Sequence, residues 1–305
     1  DLGGRVVARE EIALFPLKRR HIVQPVRDPA REVKPQKPRA AKFLAEGNIR
    51  RQDAPFPKRR DVFDLMNALL KPHLDEGEPS LKAMWRTAAP RLAFIESEKM
   101  NVYILQVMSI LRQSYCSPKY LYYLLPNHKK PIRLPDGKRD YEILVPDIRD
   151  FKKRWNHAID SLANAIRILC HPNEYGVIAF RFLPYVGIIP AFTALQAYVL
   201  TCEPATRLDA HRKIRHWYWA SVFTTRYSRS VESTSARDFQ EVRAWFDDDT
   251  AEPALIHEFK SRFTNLDFYK EVKRGSSIYN AIFNLFIIHD ARDWISGMSA
   301  QNEDL

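Results

Sequence analysis

The feature that most constrains the fold of this chain is a long amphipathic repeat between Asp147 and His171. Apolar side chains recur there every three or four residues, which is the spacing of one face of an α-helix. Asp147 precedes the repeat and is a favoured N-cap residue. The pattern predicts a long helix with one face in a core. We interpret its opposite face as solvated, although it carries four cations, Lys152, Lys153, Arg154 and Arg167.

Helical spacing also predicts helices at residues 61–73, 99–114, 207–223, 236–246 and 276–289. Ser235 and Asp238 resemble a capping box at the start of the fourth of these. The exception is residues 127–146, where the period is that of strands and Pro135-Asp136-Gly137 is typical of a turn. This stretch predicts a β-hairpin, which we interpret as an insertion rather than a site. The predicted fold is mainly α: a multi-helix, bundle-like body with one hairpin.

An uncharged stretch from Phe182 to Cys202 is about as long as a transmembrane span. Pro184, Gly187 and Pro190 interrupt its first half. An uncharged stretch inside an otherwise amphipathic helical protein favours a buried central helix over a membrane span. We therefore predict no membrane association.

Positive charge is concentrated at the start of the chain. Residues 1–60 contain 16 Lys and Arg against 7 Asp and Glu, whereas residues 61–305 contain 32 against 30. The first segment is rich in proline and has no periodicity, which predicts an extended basic arm ahead of a helical domain at 61–305. Such arms bind phosphate backbones through counterion release, although a solvated linker has the same composition. The predicted DNA-binding residues are Lys18, Arg19, Arg20, Lys34, Lys37, Arg39, Lys58, Arg59 and Arg60.

No catalytic or metal-binding motif can be identified in the sequence. The HExxH, Walker and GxSxG patterns are absent, and the pairs His257-Glu258 and His289-Asp290 favour surface or capping roles. The 3 cysteines are too widely spaced for a metal clip or a disulfide framework, which indicates a reducing compartment. No N-terminal signal sequence is visible, so we expect a cytoplasmic protein without a metal or cofactor of its own.

Two stretches look unusual for a plain helical core, and the first of them combines aromatic residues with arginines. The first runs from Arg215 to Ser230 and is followed by Glu232 and Asp238; the second runs from Ser277 to Gly297. Several of their apolar residues have the spacing of a helix core, so structural roles are the simplest interpretation. Arg226 is expected to pair with Glu232 or Asp238.

These stretches resemble the central region of the GmrSD-type family of bacterial anti-phage restriction proteins, which join a ParB-like nucleotide-hydrolysing domain to an HNH nuclease domain. The resemblance covers about residues 147–297. The matching residues, for which we expect structural roles, are Trp217, Tyr218, Trp219, Arg226, Tyr227, Ser228, Glu232, Asp238, Arg292, Asp293 and Trp294. The DGQQR motif of the first domain is absent, and the HNH histidines would follow Gly297, whereas the chain stops at Leu305.

The resemblance implies a helical connecting and DNA-binding region of a restriction or defence endonuclease. Its HNH residues, divalent metal and any nucleotide would then belong to parts of the parent protein outside this chain. We therefore expect no catalysis by this chain alone, and DNA as its partner, with homo-oligomers or the missing domains as further partners. The alternative is a non-catalytic module that docks other proteins through its helical faces.

Overall fold

The computed structural model describes residues 62–97, 99–265, 267, 273–292 and 297–299. Within these residues, ten α-helices and one two-stranded antiparallel sheet are present, which confirms the predicted mainly α fold with a single hairpin. The predicted basic arm lies outside the described residues. The elements are α1 (Val62–Leu70), α2 (Leu81–Ala88), α3 (Met100–Gln113), α4 (Pro118–Leu121), β1 (Lys129–Arg133), β2 (Arg139–Ile143), α5 (Ile148–Cys170), α6 (Ile189–Val199), α7 (Arg207–Phe223), α8 (Val231–Asp247), α9 (Ala254–Thr264) and α10 (Ser277–Ile288).

Helix α6 lies at the centre of the body and is buried along almost its whole length. It packs against α3, α5, α7 and α8. Pro190 occupies the first turn of α6, where a missing backbone N–H leaves no hydrogen bond unmade. The uncharged stretch therefore contains a buried helix, as predicted, and short 3-10 turns precede that helix. None of the described helices combines the length and the apolar character that crossing a membrane requires.

Helices α5, α7 and α10 begin and end within one residue of their predicted bounds. The Asp147 carboxylate accepts a hydrogen bond from the Asp150 amide at 2.8 Å and caps α5. In the same way the Ser276 hydroxyl accepts from the Tyr279 amide at 3.1 Å and caps α10. Each cap satisfies an amide that the first helical turn leaves unpaired.

The prediction for α8 was wrong at its start. The helix begins at Val231 rather than Ala236, so Ser235 and Asp238 are buried in its interior and form no capping box. Thr225 and Ser230, both with positive φ, reverse the chain between α7 and α8. Helices α2, α4 and α9 were not predicted, because short helices with few buried residues give little periodicity.

Helix α10 is joined to the segment before α6 by two side-chain amides. Asn280 and Asn284 donate hydrogen bonds to the carbonyl oxygens of Arg181 and Phe182, at 2.9 and 3.1 Å. Gly176 lies against the same helix with a φ of +69°, and a Cβ there would be 2.4 Å from the Asn284 carbonyl oxygen. The close approach of the two backbones therefore requires glycine at this position.

Candidate nucleic-acid interface

The hairpin is anchored in the helical body and extends into solvent. At its base the Asn127 amide donates to the Val145 carbonyl oxygen at 2.8 Å, and Leu144 and Val145 are buried. Both strands lie within residues 127–146, the stretch whose period predicted a hairpin. The turn between them contains Gly137 with a φ of +83°, and its amide donates to the Leu134 carbonyl oxygen at 2.9 Å. This turn is where the Pro-Asp-Gly run predicted it.

The pairing register sorts the charges of the hairpin onto two faces. Successive residues of a strand point to opposite faces, and directly opposed residues of an antiparallel pair share a face. One face contains Lys130 opposite Glu142, whose charged atoms are 3.4 Å apart, and Ile132 opposite Asp140. We call the other the outer face of the hairpin; it consists of Lys129, Pro131, Arg133, Arg139, Tyr141 and Ile143.

All six residues of the outer face are exposed, and none of them is acidic. Its three cations make no ion pair with any described residue. Tyr141 lies between them with 63% of its surface exposed. The result is an exposed cationic and aromatic surface on a two-stranded ribbon, a shape that the DNA major groove accommodates.

Arg133 and Arg139 are directly opposed at the turn end of the outer face. Like charges in opposed positions destabilise a β-ladder. An anion bound between two guanidinium groups removes that repulsion and accepts hydrogen bonds from both, and phosphate is well suited to arginine in this role. The pair of arginines therefore has the chemistry of a phosphate-binding position.

The segment from α3 to β1 adds aromatic rings beside the hairpin. Four of the 13 tyrosines lie between residues 115 and 123. A cavity of about 600 Å³ at the base of the hairpin is bordered by two of these rings, and none of the residues around it is acidic. Its lining includes His73, Lys119, Tyr122, Tyr123 and His128.

Three residues of the family resemblance, Trp217, Arg226 and Tyr227, surround the buried carboxylate of Asp238, which is 1% exposed. Its Oδ1 accepts from Nε and Nη2 of Arg226 at 2.8 and 2.6 Å. Its Oδ2 accepts from the indole N–H of Trp217 and from the hydroxyl of Tyr227, both at 3.0 Å. The predicted Arg226 contact is therefore made with Asp238, and the second acid near Arg226 is Glu241 at 3.6 Å rather than Glu232.

This Asp238 cluster is protected from water. Burial and the neighbouring Asp238 charge raise the pKa of Tyr227 well above its usual 10, so the hydroxyl remains protonated and can donate. Burial opposes the charge of Arg226, but the Asp238 hydrogen bond and charge outweigh it and raise the pKa of the guanidinium. The carboxylate is buried and both of its oxygens have hydrogen-bond partners, so we assign the cluster a structural role.

The other residues of the resemblance are dispersed. Tyr218 is fully buried and makes edge contacts with the rings of Tyr175 and Trp219, at centroid distances of 4.8 and 5.1 Å. Ser228 ends a 3-10 turn, and the backbone carbonyl of Glu232 accepts from the Cys116 thiol at 3.2 Å. Arg292 forms an isolated β-bridge with Ser299. Asp293 and Trp294 lie outside the described residues.

In the described part of the chain, no group of three or more His, Cys, Asp or Glu side chains is arranged to hold a metal ion. The predicted DNA-binding cations from Lys18 to Arg60 all lie outside the described residues. The solvated face of α5 is partly paired: Lys152 contacts Glu78, and Arg154 contacts Asp150 at 2.6 Å. Lys153 and Arg167 on that face are exposed.

Sequence reasoning missed the outer face of the hairpin as a candidate site. The signal was present in the alternation of Lys129, Arg133, Arg139 and Tyr141, but it depends on the register. A one-residue shift of one strand would have moved its residues to the opposite face. The Pro-Asp-Gly turn is visible in the sequence, but the strand ends that define the register are not.

No family model matches this chain, and no solved structure matches it. Over 144 residues it is 29% identical to an uncharacterized protein of Methanocaldococcus jannaschii. That match covers 46% of this chain and 24% of the archaeal protein, so the chain corresponds to about a quarter of that relative.

Proposed function

We propose that this chain is the helical, DNA-binding connecting region of a bacterial restriction or anti-phage defence endonuclease of the GmrSD type. The observation that carries the DNA-binding part of the proposal is the outer face of the hairpin, with three exposed cations, no carboxylate and two directly opposed arginines. The basic segment at residues 1–60 adds a second source of phosphate affinity. The nuclease part rests on the sequence resemblance.

In this proposal, the catalytic residues are HNH residues outside this chain. A His general base and a divalent metal would activate water there against the phosphodiester. Trp217, Arg226 and Tyr227, which match the family, all pack around Asp238. A structural role of this kind is what we expect of a connecting region. We therefore expect the isolated chain to leave DNA intact in Mg²⁺ or Mn²⁺, and metal-dependent cleavage by a clean preparation would contradict this assignment.

The test of DNA binding is fluorescence anisotropy with a labelled duplex over a range of salt concentrations. Replacing Arg133 and Arg139 together by Gln should weaken binding and reduce the slope of log K against log salt by about 0.9 for each phosphate that is no longer neutralised. The matched control replaces two exposed cations of α5, Lys153 and Arg167, by Gln. Equal losses of affinity in the two double variants would show a non-specific charge effect, and a larger loss in the control would place the DNA on α5.

A second candidate function, docking of a protein partner such as a second copy of this chain, is favoured by two exposed leucines near the junction of α6 and α7. Leu208 is 82% exposed and Leu200 is 58% exposed. Arg207 donates to the Leu200 carbonyl oxygen at 2.9 Å and holds this loop. If the loop mediates self-association, replacing both leucines by Ser should shift the sedimentation coefficient towards the monomer, with little dependence on salt.

A further inference from the structure

A row of aromatic rings runs along the segment between α3 and β1. Tyr115 stacks on Tyr120 with ring centroids 4.8 Å apart, Tyr120 lies 6.4 Å from Tyr123, and Tyr123 lies 5.7 Å from the ring of His128. We call these four residues the ring row. None of them is fully buried, and Tyr115 is 45% exposed. The row ends at His128, the residue before β1, so it is continuous with the hairpin.

Lys119 lies between two cavities along the ring row. It borders the cavity at the base of the hairpin, which Tyr123 and His128 also line. It also borders a second cavity of about 330 Å³, which is lined by Tyr115, Tyr120 and residues of α8. Its ammonium group lies over the Tyr120 ring, 4.8 Å from the centroid, and makes no ion pair with a described residue. One cation therefore borders both of the cavities that the ring row lines.

The charges around the row indicate what it can bind. The first cavity has one cation, Lys119, on its wall and no acid. The second has Lys119 and Arg237 against a single acid, Glu232. The volumes of both cavities fall within the range of about 300–1,000 Å³ that is typical of small-molecule pockets in proteins. Flat rings next to cations match a ligand that alternates flat bases with phosphates.

We propose that the ring row is a stacking platform for unpaired bases of DNA, with Lys119 binding the adjacent phosphate. This inference rests on the DNA-binding function proposed above and adds the state of the DNA, because stacking on the row requires bases released from the duplex. Aromatic side chains interleaved with cations are how single strands are bound without sequence preference. The hairpin would contact the phosphates of the neighbouring duplex.

A protein partner is the competing occupant, because exposed tyrosines are also enriched at protein interfaces. The shortage of acidic groups argues for DNA. Of the residues that line the two cavities, only Glu232 is an acid, and the outer face of the neighbouring hairpin has none. A surface of this composition attracts a polyanion over a protein of mixed charge.

The test compares the affinity of the full chain for three labelled oligonucleotides: a single strand, its matched duplex, and the same duplex with one bulged adenine. Replacing Tyr115 and Tyr120 together by Ala should weaken binding of the single strand and the bulged duplex by roughly 5- to 100-fold. The matched duplex should bind as before, within about twofold. The double Phe variant keeps the rings and should keep the parent affinities. Phe286→Ala, which removes an exposed ring from α10, is the control for general surface effects.

The three oligonucleotides distinguish a base that is extruded from a duplex from a base of a bound single strand. A weaker affinity confined to the bulged duplex indicates a base extruded from a helix, and a weaker affinity for both indicates a bound single strand; either supports the inference. Unchanged affinities of the Ala variant for both, with matched-duplex binding that still depends on Arg133 and Arg139, would overturn the inference and leave the proposed function standing. A matched duplex that does not bind at low salt would overturn the proposed function itself. A changed sedimentation coefficient with unchanged DNA affinity would assign the row to a protein interface.

Discussion

At the scale of single residues, the buried Asp238 joins three parts of its surroundings, because it accepts hydrogen bonds from three side chains. Removing one partner of a buried ion pair leaves an uncompensated charge, which costs several kcal/mol, whereas an exposed pair contributes little. The Arg226 side chain is 15% exposed. The Asp238 cluster therefore belongs to the first class.

We predict that Arg226→Ala lowers the free energy of unfolding by about 3–5 kcal/mol. The control is Arg91→Ala, which removes an exposed ion pair with Asp160 and should cost less than about 1 kcal/mol. Urea unfolding followed by circular dichroism measures both. A parental midpoint for Arg226→Ala would show that the pair contributes nothing and would reopen a functional role for this arginine.

Tyr218 differs from Asp238, because its buried polar group has no hydrogen-bond partner among the described residues. A buried hydroxyl without a partner costs about 1–3 kcal/mol. We predict that Tyr218→Phe, which removes only that oxygen, leaves the fold unchanged and raises the free energy of unfolding or leaves it the same. A decrease of more than about 1 kcal/mol would show that the hydroxyl has a partner, such as a buried water.

The pH dependence supplies a second measurement on this variant. Burial raises the pKa of Tyr218 well above 10, and those of Tyr175 and Tyr227 are raised in the same way. Above pH 10 the unfolded chain releases these protons and the folded chain retains them. Stability is therefore fully present below pH 10 and falls as pH rises, by about 1.4 kcal/mol per pH unit for each tyrosine. Tyr218→Phe should reduce that slope by one tyrosine's share.

The sequence predicted which residues around the Asp238 cluster are buried, but it did not predict which acid pairs with Arg226. Helical spacing placed Trp217 and Tyr218 in the core, and both are buried. The choice between two acids for Arg226 was open because the start of α8 was predicted five residues too late. Thr225 and Ser230 adopt positive φ there without being glycine, so the two chain reversals that bring Asp238 to Arg226 had no sequence signal.

At the scale of elements, the hairpin is the part most separable from the body. Its strands pair with each other, and the buried residues Leu144 and Val145 follow β2 rather than belonging to it. Arg112 donates to the Leu144 carbonyl oxygen at 3.2 Å and holds that junction to α3. The turn was predictable from Pro-Asp-Gly, but which face points to solvent depends on packing at the base.

We predict that replacing residues 129–143 by a short Gly-Ser turn leaves the body folded, with the free energy of unfolding reduced by less than about 1 kcal/mol. None of the replaced residues is buried in the core, and surface changes usually have effects of that size. Duplex affinity should fall by at least as much as in the double variant of Arg133 and Arg139. Thermal melting and anisotropy measure the two effects. Collapse of the body on removal of the hairpin would contradict its description as a separable element.

At the scale of the whole molecule, charge separates residues 1–60, with a net charge of +9, from residues 61–305, with +2. If the first segment binds phosphates, its contribution is independent of DNA sequence and sensitive to salt. On the proposed function, the hairpin would contribute a smaller and shape-dependent part. The two contributions can be tested separately, because the cations of each can be replaced without changing those of the other.

We predict that replacing Lys58, Arg59 and Arg60 by Ala weakens binding similarly for DNA of any sequence and lowers the salt slope by about 0.9 for each phosphate that these side chains neutralise. Anisotropy titrations on duplexes of unrelated sequence measure this. The matched control replaces three exposed cations of the helical body, Arg86, Arg149 and Lys153, by Ala. An unchanged slope in the first variant would show that these three side chains neutralise no phosphate.

The Asp238 cluster also has a consequence for the order of folding. Its partners lie only 11 to 21 residues from Asp238 along the chain, so forming it closes short loops. The amide contact from Asn284 to Phe182 joins residues 102 positions apart. Loop closure becomes less favourable with separation, so the α7–α8 pair can form its contacts before α10 docks. Substitutions at Asp238 should then slow folding, whereas substitutions at Asn284 should chiefly speed unfolding.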